Sequence, residues 1–225
     1  MYKRPEYTKI VLDNNEKLVE GLDVEFILID DGNTKEYFDD AIAPFYIRNK
    51  KRCQLITHKK NEGLRNSVID GIYRCRGKYV HKIDNDFIIK KGWLQHGMSI
   101  LDTDNIDIIA PAHQLRQDYL NKESPEIYSE GFYVCNFIGG NWFINRDHLK
   151  DQLFSKTFQE GEMALFDSSF LHLRDFNVSR FGETTDLWAE HIADFTEKHD
   201  LFIASDDHKA YYKEIGRLKR MIHFK

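Results

Sequence analysis

Apolar and polar residues along the first hundred positions follow two rhythms. Glu6 to Glu20 is polar with apolar residues at helical spacing, whereas Val24-Glu25-Phe26-Ile27-Leu28-Ile29 is a compact run of strand formers ending at the turn-like Asp30-Asp31-Gly32. Thr34 to Arg48 reads as a second helix and Cys53 to His58 as a strand. Asn61 to Arg76 reads as a helix stopped near Gly77, and Tyr79 to Ile83 as a strand ending in Asp84-Asn85-Asp86. Strands alternating with helices imply βαβ units, hence an α/β fold with a mainly parallel sheet flanked by helices. Beyond residue 105 the pattern is less regular. Ile106 to Ala110 and Val134 to Ile144 are expected to be extended, with Gly139-Gly140 placed for a bend or for close approach of a ligand. Thr185 to His199 is expected to be helical, Leu201 to Ala204 a short strand, and Ala210 to Met221 a basic helix.

Composition narrows the class. With 225 residues and 41% hydrophobic content the chain can bury a sizeable core, which excludes a disordered tail or a collagen-like rod. The 13 glycines and 4 prolines are not pooled into a linker, so one domain over 1–225 is expected. It would comprise a first half (1–105), a second half (106–205) and a basic C-terminal helix (206–225). A formal charge of -5 supplies no global field for nucleic acid. No apolar stretch approaches the ~18 residues of a membrane span, and no secretory leader is visible. Cys53, Cys75 and Cys135 lie far apart, as suits a reducing compartment, and a cytoplasmic location is expected.

The candidate chemistry is acidic. Asp30-Asp31 and Asp84-x-Asp86 each follow an apolar strand, and in a parallel α/β sheet the carboxyl ends of the strands share one edge, where ligands bind. Side chains two apart in an extended segment point the same way, so one carboxylate of Asp84-Asn85-Asp86 can hold a divalent cation while the other orients ribose or sugar hydroxyls. The competing reading is a plain turn, which Asp and Asn favour.

The order of these segments resembles the nucleotide-sugar half of family 2 glycosyltransferases with the GT-A fold. The resemblance is carried by Asp30-Asp31-Gly32, Asn61-x-Gly63, Gly71-Ile72, Gly77-Lys78-Tyr79-Val80 and Ile83-Asp84-Asn85-Asp86. Gly139-Gly140-Asn141-Trp142 and Ile144-Asn145-Arg146 resemble the family's acceptor-side segment, and Phe181 to Trp188 resembles its Gly-Glu-Asp-x-Asp-Leu-Trp stretch. The resemblance implies a sugar transferred from a nucleoside diphosphate donor, a UDP-sugar, to a hydroxyl acceptor with inversion. It places Asp30 or Asp31 on the base, Asn61, Gly63 and Arg65 beside the nucleotide, and Asp84 on ribose and metal. It makes Asp86 the main ligand of Mn²⁺ or Mg²⁺. Gly140 and Trp142 are the acceptor-side candidates, and His191 and His208 the places to look for a further metal ligand. The acceptor class stays open among glycan, teichoic acid, protein, lipid-linked sugar and modified DNA base.

The chain departs from the family pattern in three places. Thr184 stands where a catalytic Asp is expected, leaving Glu183 and Asp186 as candidates for the general base, with Glu183 favoured. Val68-Ile69 replaces an Arg-Asn pair in the helix after Asn61. Tyr2-Lys3-Arg4-Pro5 resembles the segment that follows the family's first strand, and that strand is missing ahead of it. Two rival readings follow: a nucleotide- or glycan-binding module without catalysis, and a sugar-nucleotide pyrophosphorylase, whose glycine-rich basic phosphate loop the chain lacks.

Overall fold

The computed structural model describes residue 1 and residues 4–103, 108–112, 127–128, 132–135, 141–147, 181–187 and 189–191. The chain divides into two compact units, Met1–Glu190 and His191–Lys225. The α/β domain lies in the first.

Helix α1 (Pro5–Leu18) starts on a proline, whose fixed φ suits a first turn and whose missing N–H costs nothing there. Tyr7, Val11, Leu12 and Leu18 are on its buried face. Strand β1 (Phe26–Asp31) runs parallel to β2 (Cys53–His58), pairing Phe26 with Cys53 through to Asp31 with His58. Between them lie α2 (Lys35–Tyr37), a π-helical turn (Phe38–Ile42) and α3 (Ala43–Arg48). Pro44 brings no N–H to the helical ladder, and the turn ahead of it widens accordingly. Thr34 starts this segment by accepting the Tyr37 N–H on its hydroxyl.

Helix α4 (Leu64–Arg74) packs on β1 at Gly71, where a Cβ would come within 2.9 Å of Ile29 Cδ1. Then follow β3 (Tyr79–Lys82), β4 (Phe87–Ile89), α5 (Trp93–Thr103) and β5 (Ile108–Ala112). The remaining strands are β6 (Ile127–Tyr128), β7 (Phe132–Cys135), β8 (Trp142–Asn145), β9 (Phe181–Leu187) and β10 (Ala189–His191). Strands β3, β8, β5, β9, β7 and β6 join in that order as a six-stranded mixed sheet. The β5–β9 pair is parallel, and β8 runs antiparallel to both β3 and β5.

Among the described residues, two apolar clusters hold these layers. One gathers Leu12, Leu28, Tyr37, Ala41, Ile42, Phe45 and Cys53 between β1, β2 and the helical segment joining them. The other gathers Leu18, Phe87, Ile89, Trp93, Ile109, Phe143 and Ala189. Full burial of a side chain the size of Ile89 or Ile109 stabilises by roughly 1.5–3 kcal/mol. The Trp93 indole donates to His81 Nε2 at 3.3 Å, and burial pushes the His81 imidazole down to about 3, so it stays neutral and serves as the indole's acceptor.

Among the described residues no strand joins β1 to β3: β1 and β2 form a sheet of their own, and β3 begins the larger one. Met1 lies along β1 on the edge away from β2. Its ammonium donates to the Ile29 carbonyl at 2.6 Å, and its carbonyl accepts the Asp31 N–H at 3.0 Å.

Further readings are changed or extended. Residues 185–187 and 189–191, expected to be helical, are strands. Pairing of β9 with β5 on one side and β7 on the other outweighs any helical spacing, and Thr184-Thr185 suit the strand. Helix α5 and β4 add to what the sequence pattern suggested. The expected elements over 192–221 lie outside the described residues.

Gly32 explains how the chain turns after β1. Its φ is +75°, and an added Cβ would lie 2.2 Å from the Lys60 carbonyl carbon, so only glycine fits under the 60–61 backbone. Gly32→Ala is expected to destabilise the protein by about 2 kcal/mol or more. Urea unfolding of the two proteins checks this, and an unchanged midpoint contradicts it.

Candidate functional site

Asp30, Asp31 and Asp84 come near one another. The Met1 ammonium, buried beside the end of β1, lies in the field of Asp31, Asp84 and Asp30 together, which places the ends of β1 and β3 at one edge. Burial lowers that ammonium's pKa, and the three carboxylates oppose the shift. Asp30 is 2% exposed, Asp31 4% and Asp86 8%, so this charge sits largely out of water and needs internal partners.

Asp31 finds them in the loop ahead of α4. Its Oδ1 accepts the Glu62 N–H at 2.8 Å and its Oδ2 the Gly63 N–H at 3.1 Å, while His58 Nδ1 stands 2.7 Å from Oδ1. His58 Nε2 reaches on to Asp70 Oδ2 at 3.0 Å. Burial alone would raise the Asp31 carboxyl, but the His58 hydrogen bond and the Glu62 N–H hold it below its ordinary value. The Asp31 and Asp70 hydrogen bonds raise His58. Asp31 therefore fixes the Asn61-Glu62-Gly63 loop to the sheet. Asp30 faces Asn33, accepting its side-chain amide at 2.6 Å and its backbone N–H at 3.2 Å.

Asn61 is not the N-cap. Gly63 holds that position, with φ +88°, and Asn61 Oδ1 accepts the Gly63 N–H at 2.8 Å in an Asx turn two residues earlier. Arg65 lies in the first turn of α4.

The Asp84-Asn85-Asp86 turn is held from three directions. The Asp84 N–H donates to Asn141 Oδ1 at 2.7 Å, from the residue just ahead of β8. Asn85 Nδ2 donates to Thr8 Oγ1 at 2.8 Å, and Thr8 in turn meets the Tyr37 hydroxyl at 2.5 Å. Lys82 Nζ lies 2.5 Å from Asp84 Oδ1, and the Arg4 guanidinium pairs with Asp86 Oδ2. Each carboxylate of the Asp-x-Asp segment thus already faces a cation. Thr8, Asn141, Lys82 and Arg4 were not singled out from the sequence for this region. Among them only Lys82 carries a local signal, sitting two residues before Asp84 on an extended segment.

Against family models, residues 1–172 match Glycosyl transferase family 2. The chain belongs to this family. No match is found among curated proteins. Among solved structures, this family 2 chain is similar to the mannosyltransferase PcManGT from Pyrobaculum calidifontis in complex with GDP-Man and Mn²⁺. The identity is 15% and the TM-score 0.52, covering 68% of this chain and 44% of that one. It is similar to GalNAc-T7 with UDP, GalNAc and Mn²⁺ at 13% identity and TM-score 0.50, covering 75% and 37%. A mycobacterial protein gives 15% identity and TM-score 0.50, covering 82% and 62%. The chain therefore spans between about a third and two thirds of these neighbours, and the likeness establishes the GT-A fold.

On that fold the remaining candidates fall as follows. Glu183 pairs in register with Ala110 of β5 and Tyr133 of β7, in the interior of the six-stranded sheet, and Asp186 lies near the end of the same strand. Trp142 opens β8 opposite Lys82 and is fully buried, so its ring is part of the core and not a surface presented to an acceptor. Gly140 and His208 lie outside the described residues, and His191 ends β10. No helix among the described residues is long and apolar enough to cross a membrane.

The His58–Asp31 pair gives a pH dependence with a definite sign. A raised histidine stabilises fully below its unfolded value of about 6.5, and the gain fades as pH rises through the higher folded value. The lowered Asp31 stabilises above about 3.9 and is lost on further acidification. The pair therefore contributes most between about pH 4 and 6.5. The stability difference between wild type and His58→Gln is expected to shrink from pH 6 to pH 8.5 in urea unfolding. A difference that grows over that range contradicts the assignment.

Proposed function

We propose that the chain is a metal-dependent glycosyltransferase that moves a sugar from a nucleoside diphosphate donor, a UDP-sugar, to a hydroxyl acceptor with inversion at the anomeric carbon. The observation that carries this is the Asp84–Asp86 pair after β3, each carboxylate facing a cation, with Asp84 near the buried Asp30 and Asp31. Family membership and the nucleotides and Mn²⁺ bound by two structural neighbours support it.

The donor set fits a hard divalent ion. Asp84 and Asp86 offer only oxygen, the chemistry of Mn²⁺ or Mg²⁺ sites, and the edge already attracts cationic side chains. Phosphate oxygens, water and His208, which lies outside the described residues, would supply the remaining ligands. A bound ion there would offset the charge that develops on a departing nucleoside diphosphate.

The chain's own groups take the other roles. Asp30 is the carboxylate for the base, since both Asp31 oxygens serve the loop. Asn61, Gly63 and Arg65 line the nucleotide on that loop and the first turn of α4. Asp84 orients the ribose, and Glu183 or Asp186 accepts the proton from the attacking hydroxyl. Thr184 in place of a carboxylate favours the second reading, a binding module without turnover.

Asp86→Ala is expected to abolish Mn²⁺-dependent UDP binding in calorimetry and donor hydrolysis with it; intact binding and hydrolysis would refute the site. Glu183→Gln is expected to lower turnover by about 100-fold or more while nucleotide binding persists. If Glu183→Gln retains full turnover and Asp186→Asn does not, Asp186 is the base. UDP binding without turnover over a broad donor and acceptor panel would favour the module.

A further inference from the structure

Arg4 has an unusual place in the chain. Among the described residues it is the non-glycine residue with positive φ, at φ 58° and ψ 62°, a left-handed conformation that a side chain disfavours. It directly precedes Pro5, which narrows the choice of backbone further. It is also the residue before α1, yet its side chain does not cap the helix. The guanidinium instead reaches Asp86, 82 positions away.

The pair is mostly out of water, with 22% of the Arg4 side chain and 12% of the Asp86 side chain exposed. Attraction between charges in such a place is screened weakly, and a carboxylate left there without a counter-charge is costly. Lys82 does the same for Asp84. Among the described residues, each carboxylate of the Asp-x-Asp segment is thus paired with a cationic side chain before any ion arrives. A divalent cation added to it brings a surplus of two positive charges, which matches the charge of a diphosphate.

We propose that Arg4 is the built-in counter-ion of Asp86: its guanidinium takes the cation's place in the metal-free protein, and a divalent ion reaches Asp86 by displacing it. This rests on the assignment of Asp86 to the metal. The metal alone therefore binds weakly, and the diphosphate, by offering the displaced guanidinium a new anion, makes ion and donor load together. Arg4 is in this sense a positioning residue that sets when the metal site opens.

The test is a titration of the full chain with Mn²⁺ alone, without nucleotide, followed by electron paramagnetic resonance of the free ion. Arg4→Gln is expected to tighten Mn²⁺ binding about three- to tenfold, because a competitor is removed. Lys9→Gln removes a distant exposed cation that pairs with Asp40 and should leave binding within about twofold. A merely structural contact would act in the opposite direction, so unchanged or weaker Mn²⁺ binding in Arg4→Gln overturns the counter-ion role, as does an absence of binding in both proteins. Asp86→Asn separates this from the underlying assignment. If Asp86→Asn binds Mn²⁺ as wild type does, the metal assignment itself fails. If it loses binding while Arg4→Gln is unchanged, only the counter-ion role fails. Should Arg4→Gln not fold, the Arg4 Nε–H signal of the wild-type protein is followed during Mg²⁺ titration. A shift with faster hydrogen exchange at saturation is expected, and a signal that ignores Mg²⁺ overturns the proposal.

Discussion

Three buried carboxylates and a half-buried fourth meet where β1 and β3 end, and taking that much negative charge out of water is the constraint that organises the surrounding chain. Each acid is answered by a different kind of partner. Asp31 takes two backbone N–H groups and an imidazole, Asp30 takes the Asn33 amide, Asp84 takes an ammonium and Asp86 a guanidinium. The partners come from the residue ahead of α1, the turn after β1, β2, β3 and the loop ahead of α4, so compensating the charge also draws those segments together.

This arrangement divides the edge into a fixed side and an exchangeable one. Asp31 is committed to the loop: losing its bonds would release the Asn61-Glu62-Gly63 backbone, which already passes too close to Gly32 for any side chain there. Asp84 and Asp86 are compensated by long, flexible side chains that can give way to a stronger cation. Their backbone is nevertheless held, by Asn141 at the Asp84 N–H and by Thr8 at the Asn85 side chain. A preorganised turn carrying replaceable counter-ions is well suited to admitting a metal without refolding.

Sequence reading recovered the elements whose signal is local. Cys53–His58 has the boundaries read from its run of strand formers, α4 lies within the helical spacing that marked it, and α1 starts one residue ahead of its own. It also put Asp30, Asp31, Asp84 and Asp86 at the ends of strands, since apolar runs stopping at acids are visible one segment at a time. It erred where long-range pairing competes with local preference. Residues 185–187 became strand because they extend β9, whose Leu187 pairs with Ala112 of β5 and whose Phe181 to Thr184 pair with β7, and Trp142 went into the core because β8 lies between β3 and β5. The helix expected from Asn61 starts only at Leu64, because the loop that Asp31 holds keeps Asn61 and Glu62 out of it and puts the N-cap at Gly63.

The chain by itself determined an α/β domain of one family, with its acids in order along one sheet edge, because apolar periodicity and residue order are properties of neighbouring positions. The tertiary structure decided what those acids do. Arg4 and Asp86 are 82 positions apart, Asn141 and Asp84 57, and Thr8 and Asn85 77. No periodicity links positions so distant; they meet only because burying charge at the shared end of β1 and β3 requires every carboxylate to find a donor or a cation from wherever the fold brings one.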